Sequence, residues 1–170
     1  MLNIINNIQP FIEDNYRRIN VREYARIIKI SPPTASKLLS NLNKDGLIKK
    51  EEDRQYIFYH ANKESKVFVD LCRIYWGAVL EKSGIIENIK EELLNPVVIL
   101  FGSLSKAEVK ENSDIDLAIF TPTKKELKLE KFEKILGRKI QVFIFSKKEE
   151  LKSKELLNNI LNGYKILGEF

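Results

Sequence analysis

The segment Val97-Val-Ile-Leu-Phe-Gly-Ser-Leu-Ser-Lys-Ala-Glu-Val-Lys-Glu-Asn-Ser-Asp-Ile-Asp-Leu-Ala-Ile-Phe120 sets the architecture of the C-terminal half of the chain. Val97 to Phe101 is a short apolar run rich in β-branched residues, which predicts a buried strand. Gly102-Ser103 interrupts it, and a polar stretch with room for about two helical turns follows. A second apolar strand carries Asp114 and Asp116. Side chains alternate along a strand, so both carboxylates leave one face while Ile115 and Leu117 face a core. Carboxylates so close repel each other and lose hydration, a cost that a divalent, oxygen-seeking cation such as Mg²⁺ offsets. Gly102 permits a turn whose backbone approaches a ligand, and Ser103 falls near a helix N-terminus, a natural phosphate site. The simpler alternative is an ordinary turn with two carboxylates that cap or solvate a strand edge.

The chain has 170 residues, enough for one domain or two small ones. With 44% hydrophobic and 31% charged residues it reads as globular, without long disorder. No apolar run approaches the roughly 20 residues of a membrane span, and no basic-then-apolar leader opens the sequence, so a cytoplasmic protein without membrane contact is expected. The single Cys72 excludes an intramolecular disulfide and a Cys-based zinc cluster, and its apolar helical surroundings predict burial. The single His60 excludes His-rich metal sites and reads as a strand-end surface residue. A net charge of +5 and a pI of about 9.1 give a mild bias toward anionic partners that does not by itself establish nucleic-acid binding. The excess is spread: residues 1–65 carry +3 (11 basic, 8 acidic), residues 96–170 carry +3 (14 basic, 11 acidic), and the middle carries −1.

From the N-terminus, Leu2, Ile4, Ile5, Ile8, Phe11 and Ile12 repeat at helical spacing, with Pro10 as a kink or break. Asn20 is an N-cap candidate for a short helix over Val21–Ile28. Ser31-Pro32-Pro33 caps a third helix, about Pro33 to Asp45, which buries Ala35, Leu38, Leu39 and Leu42 and stops at Gly46. Leu47 to Tyr59 reads as a two-stranded ribbon with a charged tip. This layout, and the pattern Ser31…Thr34-Ala35-Ser36…Leu38…Leu42…Gly46-Leu47-Ile48, resembles the winged helix-turn-helix regulators of prokaryotes over residues 3–62. The resemblance implies a duplex-DNA reader. Thr34, Ser36, Lys37, Ser40, Asn41 and Lys44 would face a major groove, and Lys49, Lys50 and Arg54 would reach phosphates or the minor groove from the wing. Glu51, Glu52 and Asp53 weaken the wing for phosphates, and a structural or protein-binding winged helix is the alternative.

Residues 63–82 form a longer helix with Val67, Phe68, Leu71, Ile74, Tyr75, Ala78 and Val79 on one stripe; Trp76 falls off it, toward the second domain or a second subunit. The helix is expected to link the domains, or to form the seam of a two-fold homodimer. Ser83-Gly84 ends it, which gives a winged-helix domain at 1–63, a linker helix at 64–83 and a second domain at 84–170. A helix over Ile85, Ile86, Ile89 and Leu93 leads into the strand at Val97. After Phe120 come a loop at Thr121-Pro122-Thr123, a lysine-rich helix from Lys124 to Leu136, a strand over Ile140–Phe145, a helix from Leu151 to Leu161, and a short strand at Tyr164–Leu167.

The apolar-Gly-Ser turn followed at fixed spacing by Asp114-Ile115-Asp116-Leu117 resembles the signature of the DNA polymerase β-like nucleotidyltransferase superfamily, closest to its minimal branch in archaea and bacteria. The resemblance covers about residues 84–170 and implies an α+β chain whose C-terminal half is a small α/β core on a mixed sheet. It implies Mg²⁺ and a nucleoside triphosphate, with Asp114 and Asp116 as metal-binding catalytic carboxylates, and with Gly102, Ser103 and Lys106 at the phosphates. The family adds a third carboxylate on the neighbouring strand, in a segment like Gly-Arg-Lys-apolar-Asp; here Gly137-Arg138-Lys139-Ile140 is followed by Gln141. An amide cannot act as a base and leaves a two-metal site one charge short. The turn departs too, with Leu104, Lys106 and Ala107 where arginine and glycine are frequent, and Glu149 and Glu150 lie beyond the strand. Two functions stay open. One is transfer of a nucleotide to a protein or small acceptor, as in minimal members that act as antitoxins toward small helical toxin partners. The other is a DNA-binding regulator whose second domain only binds nucleotide or a partner.

Overall fold

Ile8, Phe11 and Ile12, one helical turn apart, are fully buried on α1 (Leu2–Glu13), which runs on through Pro10. The structure is a computed structural model that describes residues 2–169; the expected apolar contact of Leu2 falls on a side chain outside that description. Two compact units form, one of residues 1–72 with 107–111 and one of residues 73–106 with 112–170.

In the first unit, β1 (Ile19–Asn20) leads into α2 (Val21–Ile28), where the Asn20 side chain accepts from the Glu23 N–H at 3.0 Å. Lys29 ends α2 in the left-handed region, and the Ser31 hydroxyl then caps α3 (Pro32–Lys44). Ala35, Leu39 and Leu42 of α3 are buried. β2 (Ile48–Asp53) and β3 (Tyr56–Ala61) form a hairpin turned at Arg54-Gln55, and β1 pairs with the other edge of β3, giving the antiparallel order β1-β3-β2. Tyr24 stacks on Phe11 and donates to the Asn7 carbonyl at 2.8 Å, and burial pushes its pKa up to about 12. The segment 107–111 joins this unit through buried Asn15, whose side-chain oxygen accepts from the Val109 N–H at 2.6 Å while its backbone N–H donates to the Val109 carbonyl at 2.8 Å.

Along α4 (Lys66–Ser83) the buried line is Phe68, Cys72, Trp76 and Leu80. The expected stripe is therefore corrected: Val67 and Ile74 are exposed, and Trp76 lies on the buried face. Residues four apart stack on one helix face, and this helix is apolar nearly all round, so the stripe was ambiguous. Cys72 is buried as expected. In the second unit Trp76 packs edge-on to Tyr75, with the Arg138 guanidinium 5.1 Å from its ring centre.

The second unit continues with α5 (Ile85–Glu92), β4 (Val97–Phe101), the single turn α6 (Ser103–Lys106) and β5 (Ile115–Phe120). Then come α7 (Glu130–Leu136), β6 (Ile140–Phe145), α8 (Lys154–Leu161) and β7 (Tyr164–Leu167). The sheet order is β6-β5-β4-β7, with β5 and β6 parallel and the other pairs antiparallel, which makes it a small mixed sheet. Phe101, Ala118 and Phe120 form a core on one face with Leu151 and Ile160, against which Phe143 and Phe145 pack. Ile115, Leu117 and Ile119 are fully buried on the other face.

Three boundaries differ from expectation. α6 spans one turn because Ala107 takes a φ of +56° and ends it. α7 starts at Glu130, not Lys124, because Thr121 and Thr123 bond the Leu94 backbone and hold the preceding segment away from helical geometry. α8 starts at Lys154, not Leu151: the Ser153 hydroxyl caps it, and a separate turn at Lys148–Glu150 precedes it. Among the described residues no helix is long and apolar enough to cross a membrane.

Candidate functional site

Gly102 leaves β4 with a φ of +69°, and a Cβ there would stand 2.1 Å from Asp116 Oδ2. The Asp116 carboxylate thus lies over the bare glycine backbone, an approach that only glycine allows. The strand register explains why: Asp116 sits opposite Phe101 on β4 and opposite Gln141 on β6. Asp114 falls just before β5 and has the same parity as Asp116. Gln141 Nε2 donates to Asp114 Oδ2 at 2.7 Å. The sheet therefore gathers Gly102, Asp114, Asp116 and Gln141 at one end, with Ser103 opening α6 beside them.

The turn is held from behind. The Ser105 hydroxyl, fully buried, donates to the Gly102 carbonyl at 3.0 Å. Arg73 of α4 donates to the Ser105 carbonyl at 2.8 Å and to the Asn162 carbonyl at 3.3 Å. Lys106 Nζ donates to Asn159 Oδ1 at 2.7 Å, so its charge stands near the turn but is already held by α8. Ala107 occupies the left-handed conformation that explains why glycine suits this position. Arg138 donates to the Ser113 carbonyl at 2.8 Å, fixing the approach to Asp114.

The Asp116 pKa is raised, first by burial and then by the charge of Asp114. Both causes disfavour the bare anion, and a cation between the carboxylates would relieve both. The donors are all oxygen-type, two carboxylates with an amide beside them, which suits a hard ion such as Mg²⁺. Among the described residues no cluster of three or more His, Cys, Asp or Glu is placed to hold a metal. The donor set fits one divalent ion and lacks the third carboxylate of a two-ion site. Glu149 and Glu150 do not supply it: Glu150 accepts from the Ser146 N–H at 3.1 Å in the turn beyond β6.

In the first unit Ser36, Lys37, Asn41 and Lys44 are exposed on α3 and Ser40 is half-buried, while the Thr34 hydroxyl is engaged with Ser31 at 2.8 Å. The hairpin cations are partly committed: Lys49 pairs with Glu64 at 2.5 Å and Lys50 with Glu52 at 2.6 Å. Arg18 lies 3.2 Å from both Glu51 and Asp53, so these hairpin acids are neutralised within the chain. Arg54 tops the hairpin with a φ of +58°, and Lys37, Lys44 and Arg54 have no ion pair among the described residues.

Sequence reasoning missed Arg18, Arg73, Ser105 and Arg138. Arg73 had one signal, a lone guanidinium in an otherwise apolar helical stretch; Arg18 and Arg138 contact groups far away in the chain and leave no local pattern, while the Ser105 hydroxyl bonds only three residues back, to Gly102. Residues 82–167 match the family model described as nucleotidyltransferase domain. No curated protein matches the chain.

Proposed function

The chain belongs to the nucleotidyltransferase domain family, and from that premise we propose that it is a DNA-binding regulator whose second unit holds a nucleoside triphosphate with one Mg²⁺ and does not transfer nucleotide. The observation that carries this reading is the 2.7 Å bond from Gln141 Nε2 to Asp114 Oδ2, made where a third carboxylate would stand. This donor takes up one oxygen that Asp114 would otherwise offer an ion, and a neutral amide neither attracts a second cation nor takes a proton from an attacking hydroxyl. Asp114 and Asp116 would hold the ion, which when bound would neutralise phosphate charge. The backbone of Gly102, free of Cβ, would let the phosphates approach, and Ser103 would donate to them. Lys106 would act by charge, braced by Asn159.

For the first unit, the order α1-β1-α2-α3-β2-β3 supports a winged helix. The exposed face of α3 would enter the major groove, and Arg54 would meet phosphate from the hairpin tip. A two-fold homodimer on paired half-sites suits this mode of reading. Transfer to a protein acceptor, as an antitoxin acting on a small helical toxin would perform, is favoured only by the intact pair Asp114 and Asp116.

Incubation with ATP, GTP, CTP and UTP labelled on the α-phosphate, with Mg²⁺, separates the readings. Retention should return intact nucleotide, with no label on protein and no pyrophosphate above the level of Asp116→Ala. Pyrophosphate or labelled protein above that level would overturn retention in favour of transfer.

A further inference from the structure

Among the described residues β6 is the outer strand of its sheet and pairs with β5 alone. In a parallel ladder alternate residues turn their backbone groups to the neighbour, and the others turn theirs outward. Lys139 and Phe145 give their carbonyls to Ile115 and Thr121, so the odd-numbered residues face β5 and the even-numbered ones face out. Of the outward N–H groups, that of Ile140 is taken by Glu133 Oε1 at 3.0 Å and that of Ser146 by Glu150 Oε2 at 3.1 Å. Those of Val142 and Ile144 have no partner among the described residues. Ile140–Phe145 carries no charge, proline or glycine, and Val142 to Phe145 are only half-buried. An apolar outer strand with open backbone groups is a template for a further strand.

We propose that the open edge of β6 at Val142–Ile144 docks an extended segment of a partner protein, apolar at its centre and acidic at its ends, whether or not the neighbouring site retains nucleotide. A second copy of the chain fits less well. A two-fold antiparallel pairing centred on Phe143 sets Lys139 opposite Lys147 and brings Glu133 toward Glu150 of the other copy, like charge to like in each case. Lys139 is exposed along 79% of its side chain and lies 3.8 Å from Glu133. Lys147 is exposed, without an ion pair among the described residues. Glu133 and Glu150 each give an oxygen to a backbone N–H, and Lys139, long in its pair with Glu133 and mostly exposed, joins Lys147 in offering positive charge to the acidic ends of an incoming segment.

The test is selection of a phage-displayed library of random twelve-residue peptides on the full chain. Winners are then resynthesised and titrated by fluorescence anisotropy. Alternating apolar peptides with acidic ends should emerge. Ile144→Pro, which removes one outward N–H and which an edge strand tolerates, should weaken them about tenfold or more without lowering the melting temperature. As a check independent of any variant, N-methylation of alternate peptide amides in one register should abolish binding, and in the other register should leave it intact. No enriched peptide, winners without acidic ends, or winners indifferent to both Ile144→Pro and N-methylation would each overturn the proposal. So would a dimer in sedimentation that Ile144→Pro dissociates, which would assign the edge to a second copy.

Discussion

Gly102→Ala isolates the contact on which the site is built. The added Cβ would lie 2.1 Å from Asp116 Oδ2 and 3.0 Å from its Cγ, on a backbone with a φ of +69°. The left-handed conformation costs a side-chain-bearing residue about 1–2 kcal/mol. The overlap adds a second effect, because a carbon–oxygen contact settles at about 3.3 Å or more. The carboxylate must retreat by about 1 Å, away from the turn. Gly137→Ala is the matched control: its φ is +63°, and nothing lies within 4 Å of the added Cβ. Both variants should lose about 1–2 kcal/mol of stability, read as a drop of several degrees in melting temperature. Gly102→Ala alone should also lose Mg²⁺-dependent nucleotide affinity by about 100-fold, or about 2.7 kcal/mol, measured by isothermal titration. Equal nucleotide affinity in the two variants would refute the placement of Asp116 over Gly102 as the basis of binding.

Gln141→Glu replaces the donor to Asp114 by a third anion; Mg²⁺ affinity should rise about tenfold and the melting temperature without metal should fall, whereas no change in either would remove Gln141 from the site. The raised pKa of Asp116 means that the folded state holds its proton more tightly than the unfolded chain. Stability should therefore fall as pH rises from about 3.9, the ordinary carboxylate value, through the raised folded value, and Asp116→Asn should flatten that part of a pH-dependent melting series. In the first unit, Lys37→Ala with Arg54→Ala should weaken duplex DNA binding and shrink the slope of log affinity against log salt by about 2. An unchanged slope would remove both from the phosphate contacts.

The positions of β4 and β5 and the helix caps were legible because each rests on local chemistry, whereas the approach of Asp116 to Gly102 comes from the register of β4 against β5. β4 and β5 read as short apolar runs, Asn20 and Ser31 as caps, and period-two alternation put Asp114 and Asp116 on one face, while Gln141 was legible only through the family resemblance. Tertiary partners decided the rest. α4 is apolar round most of its circumference, so burial of Phe68, Cys72, Trp76 and Leu80 depends on what packs there. The lysine-rich run from Lys124 has helical composition, yet Thr121 and Thr123 tie its start to the Leu94 backbone. Arg18, Arg73 and Arg138 meet acids or carbonyls distant in sequence, contacts that no spacing announces.

Titration of the wild type and Asp116→Ala with each of the four nucleoside triphosphates, with and without Mg²⁺, asks whether the carboxylate pair binds nucleotide through a metal ion. Retention predicts micromolar binding to the wild type that requires Mg²⁺ and disappears in Asp116→Ala, at an unchanged circular dichroism spectrum. No binding by the wild type, or the same affinity in both proteins, would contradict it.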